Sequence, residues 1–588
     1  MFGIPWHRLP TPLALLKLVG FRNKLREENL HDTSQLPDTN ELPHPDPSPD
    51  GRHLVARTPD GSFNDLKNPT MGMVGTRLGR NVPLTKANVD QKNLLNPNPR
   101  IVSQRLMTRG EFIPATSLNI LAAAWIQFQN HDWFSHGNNQ PDKKIVIPLA
   151  EDDTWPQEHR PMAIKETLVD QSRPEGNKAE PPTFINKVTH WWDGSQIYGN
   201  NAEQVHELRS HVDGKLTIGD DGLLPVDPAI GVDRTGFNDN WWIGLSLMHT
   251  LFVKEHNAIC DRLKQLYPDW RDDDLYDHAR LINAALMAKI HTVEWTPGIL
   301  AHPALQIAMS ANWWGLLGQH VKNLWGRVGE GETLSGIIGS PTDHHTAPYY
   351  ITEEFVSVYR LHPLIPDEFE FYSHKNGELR RTGDFFEVAG KRARGVVEEI
   401  GIPDLFYSLG IAHPGAITLH NYPKALQKLI RDNGETLDLA AIDILRDRER
   451  GVPRYNEFRE IIGRGRVKSF EEITSKPVWA KELREVYNND INSVDLVVGM
   501  FAEDLPAGFG FSDTAFRVFI LMASRRLKSD RFFTKDYRAE IYTQFGLDWI
   551  DSNGFLSVLR LHYPTLAPAF FGINNGFAPW RRVGIAGY

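Results

Sequence analysis

The chain has 588 residues, and its 64 Lys and Arg against 74 Asp and Glu leave a net charge of −10, which excludes a generally basic nucleic-acid surface. Hydrophobic residues at 41% and charged residues at 23% are ordinary globular proportions, so wholesale disorder is excluded. One cysteine, Cys260, excludes a disulfide framework or a cysteine-clustered metal site and points to a reducing, cytoplasmic setting.

The first apolar run, Leu13-Ala-Leu-Leu-Lys-Leu-Val-Gly20, is interrupted by Lys17, is too short to span a bilayer, and precedes no small-residue cleavage site. It reads as a helix packed on the protein's own body, with peripheral membrane contact as the alternative. Residues 32–100 are rich in Pro, Asn, Asp and Gly and read as an extended arm or flexible chain. Residues 137–188 form a second polar, proline-bearing stretch. A long apolar pattern predicts a helix over 117–136, with candidate caps Thr116 and Ser117 and a stop at Gly137. Two long helices are predicted over 240–266 and 274–295, the second closed by Pro297. A shorter one over 352–362 must stop at Pro363, and another covers 514–531. Strand-like alternation is rare and no linker separates the helices. The predicted fold is therefore mainly α, with a helix and extended arm over 1–74 and one large domain over 75–588.

Four constellations carry chemistry. In Gln127-Phe-Gln-Asn-His131-Asp132-Trp133, Gln127 and His131 lie four apart on one helix face, while Asp132 points elsewhere. The pattern suits either a satisfied core histidine or a catalytic imidazole with a carboxylate kept for a cation. In Thr189-His-Trp191-Trp-Asp193-Gly-Ser195, alternation in an extended loop puts hard oxygen donors on one side, which suits Ca²⁺, with Asp132 as a further donor. A plain turn is the alternative. In Tyr359-Arg-Leu-His362-Pro363, Tyr359 and His362 are three apart at a helix end. Such a histidine suits an axial haem position, with Asp443 or a nearby acid accepting its other N–H; ordinary helix packing is the alternative. His291 and Thr296, with the arginines of Arg525-Arg526-Leu-Lys-Ser-Asp-Arg531, have the groups that hold a carboxylate; surface charge beside a loop N–H is the alternative.

The order and spacing of these motifs, with Met248-His-Thr250, Glu255-His-Asn257 and Arg446 to Asn456, resemble the animal haem peroxidase and cyclooxygenase superfamily over roughly 75–570. Within it, Asn130-His-Asp-Trp133, Phe252-Val-Lys-Glu-His-Asn-Ala258 and Arg446-Asp-Arg-Glu-Arg-Gly-Val452 make the chain most similar to the fatty-acid α-dioxygenases, and its size suggests a bacterial member.

The resemblance implies a helical fold around haem b, with His131 distal, Gln127 beside it, His362 the proximal iron ligand and Asp443 its hydrogen-bond partner. It implies a calcium site at Asp132, Thr189, the Trp191 carbonyl, Asp193 and Ser195. Tyr359 matches a radical-forming tyrosine. His291 and Thr296 match residues that hold the substrate carboxylate, completed by Arg531, or less directly Arg525 or Arg526. The implied partners are a long-chain fatty acid, O₂ and a peroxide activator, acting on a monomer. Asn238 and Trp241 stand where secreted peroxidases carry an arginine and a haem-linked glutamate, so poorer peroxide heterolysis and no covalent haem ester are expected. The rival activities are peroxidation of small reductants, diol-synthase-type oxygenation at an interior carbon, haem or lipid carriage, and a non-haem iron site.

Overall fold

Among the helices of the described residues are Thr11–Glu28 (α1), Leu121–Trp133 (α2), Ile243–Leu266 (α3), Asp272–Ile290 (α4), Pro303–Trp314 (α5), Gly318–Trp325 (α6), Glu353–Val358 (α7), Leu439–Glu449 (α8) and Asp513–Ser529 (α9). The computed structural model describes residues 5–34, 36, 44–173, 181–431 and 433–584. Strand is confined, among these, to three antiparallel pairs: β1 (Lys144–Ile147) with β2 (Met162–Lys165), β3 (Glu368–Tyr372) with β4 (Leu379–Asp384), and β5 (Leu429–Ile430) with β6 (Thr436–Leu437). The fold is mainly helical, as the sequence predicts.

Helix starts follow side-chain capping. Thr352 accepts from the Phe355 N–H at α7, Asp438 from Ala441 at α8, and Ser512 from Ala515 at α9. The predicted helix over 117–136 is shorter, because Ser117 is not its cap. Residues before Leu121 turn so that the Asn119 amide donates to the carbonyls of Gly576 and Ala578, at 2.8 Å each. The helix predicted over 274–295 changes character after Ile290. His291–Trp295 is a wider π-helical turn, and Thr296–Ile299 is a new short helix. Pro297 opens that helix instead of closing α4, since a first-turn residue needs no N–H partner.

α3 is buried on nearly every face and lies between α2 and α4, where Phe128 stacks on Phe252 at 5.8 Å and Trp125 meets Phe252 at 5.5 Å. α1 packs on α5 and α9 through Ala14, Leu18 and Leu25. Arg22 and Arg26 both reach Glu332, at 2.5 and 2.6 Å, and Arg26 donates to Ser524 on α9 at 3.0 Å. The N-terminal residues thus share one apolar core with the rest of the chain. Residues 35 and 37–43 of the predicted arm lie outside the described residues, as do 174–180 of the second polar stretch. The following part of the arm is tied to the far end of the chain, where Arg57 and Asn64 both donate to Asp530 at 2.9 Å. Among the described residues, no helix is long and apolar enough to cross a membrane.

Candidate active site

The helix predicted to run to His362 ends at Val358. Proline at 363 disfavours α conformation at 362, so the chain leaves the helix after Tyr359 and re-forms a 3-10 turn over His362–Leu364. That exit leaves the imidazole free to reach α8. His362 Nδ1 donates to Asp443 Oδ2 at 2.8 Å. The same carboxylate accepts from the Tyr422 hydroxyl at 2.9 Å and from Arg360 Nη1 at 2.9 Å. Burial alone would raise the Asp443 pKa, but His362 and Arg360 outweigh it and hold the group below the usual carboxylate range. With Nδ1 committed to an ionised acceptor, Nε2 is the atom left for a metal.

Gln127 and His131 sit one turn apart on α2, and both line one cavity of about 1020 Å³ with His362, Tyr359 and Asp443. Trp242 Nε1 donates to Gln127 Oε1 at 2.8 Å, and Gln127 Nε2 donates to the Asn240 carbonyl at 3.1 Å, so the amide is fixed. His131 is buried with Nδ1 unpartnered and its ring 4.7 Å from Phe237. Burial pushes it down to about 3, which keeps it neutral and able to accept a proton. Asn238 and Trp241 line the same cavity, and Trp241 Nε1 is spent on Ser246 at 2.9 Å. Two histidines lining one cavity, one anchored for ligation and one with an orphaned nitrogen, fit a haem.

Tyr359 borders this cavity and also packs away from it. Its ring stands edge-on to Trp133 at 5.4 Å and lies 4.5 Å from Phe355. Its hydroxyl is buried with no hydrogen-bond partner, and burial pushes the phenol well above its ordinary pKa. Trp133 links it to a second cluster. The Arg526 guanidinium lies 3.7 Å from the Trp133 ring centroid and 4.3 Å from that of Trp192. The His291 ring meets the same two indoles, each at 5.2 Å. His291 Nδ1 accepts from Trp125 at 3.2 Å. Burial, reinforced by Arg526, pushes His291 well below its usual pKa, so it is neutral. Arg526 Nε and Nη2, Thr296 Oγ1 and Trp133 Nε1 are all buried and unpartnered. Arg526 is depressed by burial and only partly compensated by Tyr349, Tyr359 and Asp132. A buried guanidinium with orphaned donors is costly unless an anion meets it.

Two sequence expectations are corrected here. Arg531 is not in this cluster: its donors go to the carbonyls of Phe63 at 3.2 Å, Leu54 at 2.8 Å and His53 at 2.8 Å, and to Asp536. Arg525 points the other way, with Nη2 donating to the carbonyls of Ala347 at 2.6 Å and Pro348 at 2.8 Å. Adjacent helical residues diverge by about 100°, so only one of the Arg525–Arg526 pair can face Tyr359. Phe519, which lies 6.3 Å from the Tyr359 ring, marks the facing stripe, and Arg526 is seven residues, two turns, beyond it. That phase was the available signal.

Asp132 turns from His131 toward the 189–195 loop. The loop is not extended throughout: Gly194 takes φ 79° and Ser195 opens a short helix, Ser195–Tyr198. The turn brings the Ser195 N–H to Asp132 Oδ1 at 2.6 Å and to Asp193 Oδ1 at 3.1 Å. Asp132 Oδ2, Asp193 Oδ2 and Thr189 Oγ1 are buried with no hydrogen bond. Burial, then the neighbouring Asp193, pushes Asp132 up to about 8. Arg280 stands 3.4 Å from Asp193. Two orphaned hard oxygens, Asp132 Oδ2 and Thr189 Oγ1, beside Asp193 Oδ2, which has only the longer ion pair with Arg280, fit a divalent cation.

A mainly helical fold with two histidines lining one large cavity is that of a haem peroxidase-like oxidoreductase. The chain belongs to the animal haem peroxidase family, whose profile matches residues 56–570. It is similar to the alpha-dioxygenase PIOX of Oryza sativa, with 38% identity over 98% of this chain and 93% of that one. The crystal structure of the Oryza sativa fatty acid alpha-dioxygenase superposes with a TM-score of 0.88 at 37% identity, covering 98% of this chain and 94% of that one. A tyrosine-to-phenylalanine variant of that enzyme is known with palmitic acid. The Arabidopsis thaliana fatty acid alpha-dioxygenase superposes with a TM-score of 0.89 at 36% identity, covering 100% of this chain and 92% of that one.

Proposed function

We propose that the chain is a fatty-acid alpha-dioxygenase that holds a long-chain acid by its carboxylate at Arg526, His291 and Thr296 and oxidises C2 through Tyr359. The observation that carries this reading is the placement of Tyr359. It borders the cavity lined by His131 and His362, and it packs on Trp133, the indole that also carries Arg526, whose Nε and Nη2 are unpartnered. Haem bound at His362 supplies one-electron oxidation when a peroxide activator is present. Neutral His131 accepts the activator's proton, with Gln127 fixed beside it. Tyr359, whose hydroxyl bonds nothing, loses its phenolic hydrogen and then takes one from C2. O₂ adds at that carbon, and the peroxyl group recovers hydrogen from Tyr359 to give the 2-hydroperoxy acid. Regiochemistry follows from the clamp: with the carboxylate pinned beside Trp133, C2 is the carbon next to the phenol, and such positioning supplies much of the rate. Comparing O₂ uptake on palmitate with guaiacol oxidation tests the assignment. Fast uptake with weak guaiacol turnover is expected, and the reverse would identify a small-reductant peroxidase.

The orphaned oxygens of Asp132 and Thr189, with Asp193, Ser195 and the Trp191 carbonyl, are assigned to Ca²⁺. The ion would neutralise two crowded carboxylates next to the distal histidine. Chelation should then lower stability by about 3 kcal/mol relative to a hundredfold excess of Ca²⁺ over its dissociation constant. Thermal unfolding of Asp193→Asn should lose that calcium dependence.

A further inference from the structure

We propose that α6 and its flanks form an interfacial anchor that docks the enzyme on a lipid bilayer. The helix sits inside-out on the protein. Its lysine faces the body, with Lys322 Nζ donating to the carbonyls of Trp313 and Ile338 at 3.1 Å each. Arg327 beyond it is also turned inward, donating through Nη1 to the carbonyls of Gly336 at 2.9 Å and Ile338 at 2.8 Å. With the cations so fixed, the apolar stripe is left outward. Leu317, 40% exposed, and Leu324, 74%, lie two turns apart on one side of the helix; Trp325, 79%, closes its last turn, and Val328, 48%, follows beyond Gly326. The flanks are open on their outer side, since a Cβ added at Gly318, Gly326, Gly329 or Gly331 would meet nothing within 4 Å, while Gln319 and Asn323 hold the helix to Asp551 at 3.0 and 2.8 Å.

The occupant is argued from charge and chemistry. Residues 295–329 contain no Asp or Glu, although 74 of the 588 residues in the chain are acidic and that length would average about four. The exposed apolar side chains therefore sit in a run free of carboxylates up to Glu330, and the neighbouring Asp551 is spent on Trp314, Gln319 and Asn323. Tryptophan and leucine at its tip are the side chains that settle at the headgroup boundary. The choice of a bilayer over a protein partner rests on the fatty-acid reading above, because the substrate dissolves in lipid and the same run of chain begins at the Thr296 clamp. α1 is excluded as the anchor because its arginines and apolar face are spent on Glu332, α5 and α9.

Co-sedimentation of the holoenzyme with phosphatidylcholine vesicles, with and without phosphatidylglycerol, tests the proposal. The wild type should bind both, and Leu324→Glu/Trp325→Glu should bind at least about tenfold less. Its Soret band and its O₂ uptake on monomeric acid should be unchanged. Absence of wild-type binding, equal binding by the variant, or wild-type self-association that the variant abolishes would each overturn it. Vesicle binding is read without turnover, so failure of O₂ uptake on a fatty acid would instead count against the enzymatic reading.

Discussion

Tyr359→Phe should abolish fatty-acid oxygenation, by about a thousandfold or more, while leaving the Soret band and the folded state intact. The expectation of intact folding is specific to this site. The Tyr359 hydroxyl is buried without a hydrogen-bond partner. Removing it therefore breaks no protein contact and relieves a desolvated group. Phenylalanine keeps the packing on Trp133 and Phe355, so any loss belongs to the missing O–H. Oxygen-electrode measurements beside an absorbance spectrum check both halves, and retained uptake would remove Tyr359 from the radical role.

The second large effect is at Arg526. Arg526→Leu should raise KM for a long-chain acid by about ten- to a hundredfold, the worth of one charge-assisted pair. Thermal stability should change little, because the free enzyme loses a buried charge that Tyr349, Tyr359 and Asp132 compensate only in part. Arg531→Leu should do the opposite. It deletes donors held by the Phe63, Leu54 and His53 carbonyls and by Asp536, so stability should fall and KM should stay. Steady-state kinetics with thermal melts on both variants separate a clamp from a structural tie.

The contrast between these arginines marks how far the sequence could be read. Helical spacing alone placed Gln127 and His131 on one face and turned Asp132 away from them, because those relations follow from α geometry within one element. The identity of His362 followed from its neighbours, but the end of its helix did not. Pro363 said that the helix must stop, and the chain stops earlier, at Val358, so that the imidazole can meet Asp443. Which arginine faces Tyr359 depends on the rotation of α9 against α7 and α2, a tertiary relation visible only faintly in the phase from Phe519. Tyr422 on Asp443 is a contact between distant segments with no local signature. The outward stripe on α6 was equally hidden, since its pattern is that of any amphipathic helix. Only the inward bonds of Lys322 and Arg327 show which face meets solvent.

The central claim is that Tyr359 oxidises the carbon next to a carboxylate held by Arg526. The most direct measurement is the mass spectrum of products formed from palmitic acid and from its C2-deuterated form under ¹⁸O₂. A hydroperoxide at C2 carrying both labelled oxygens, formed more slowly from the deuterated acid, is predicted. A hydroperoxide at an interior carbon, formed at the same rate from both acids, would contradict the account.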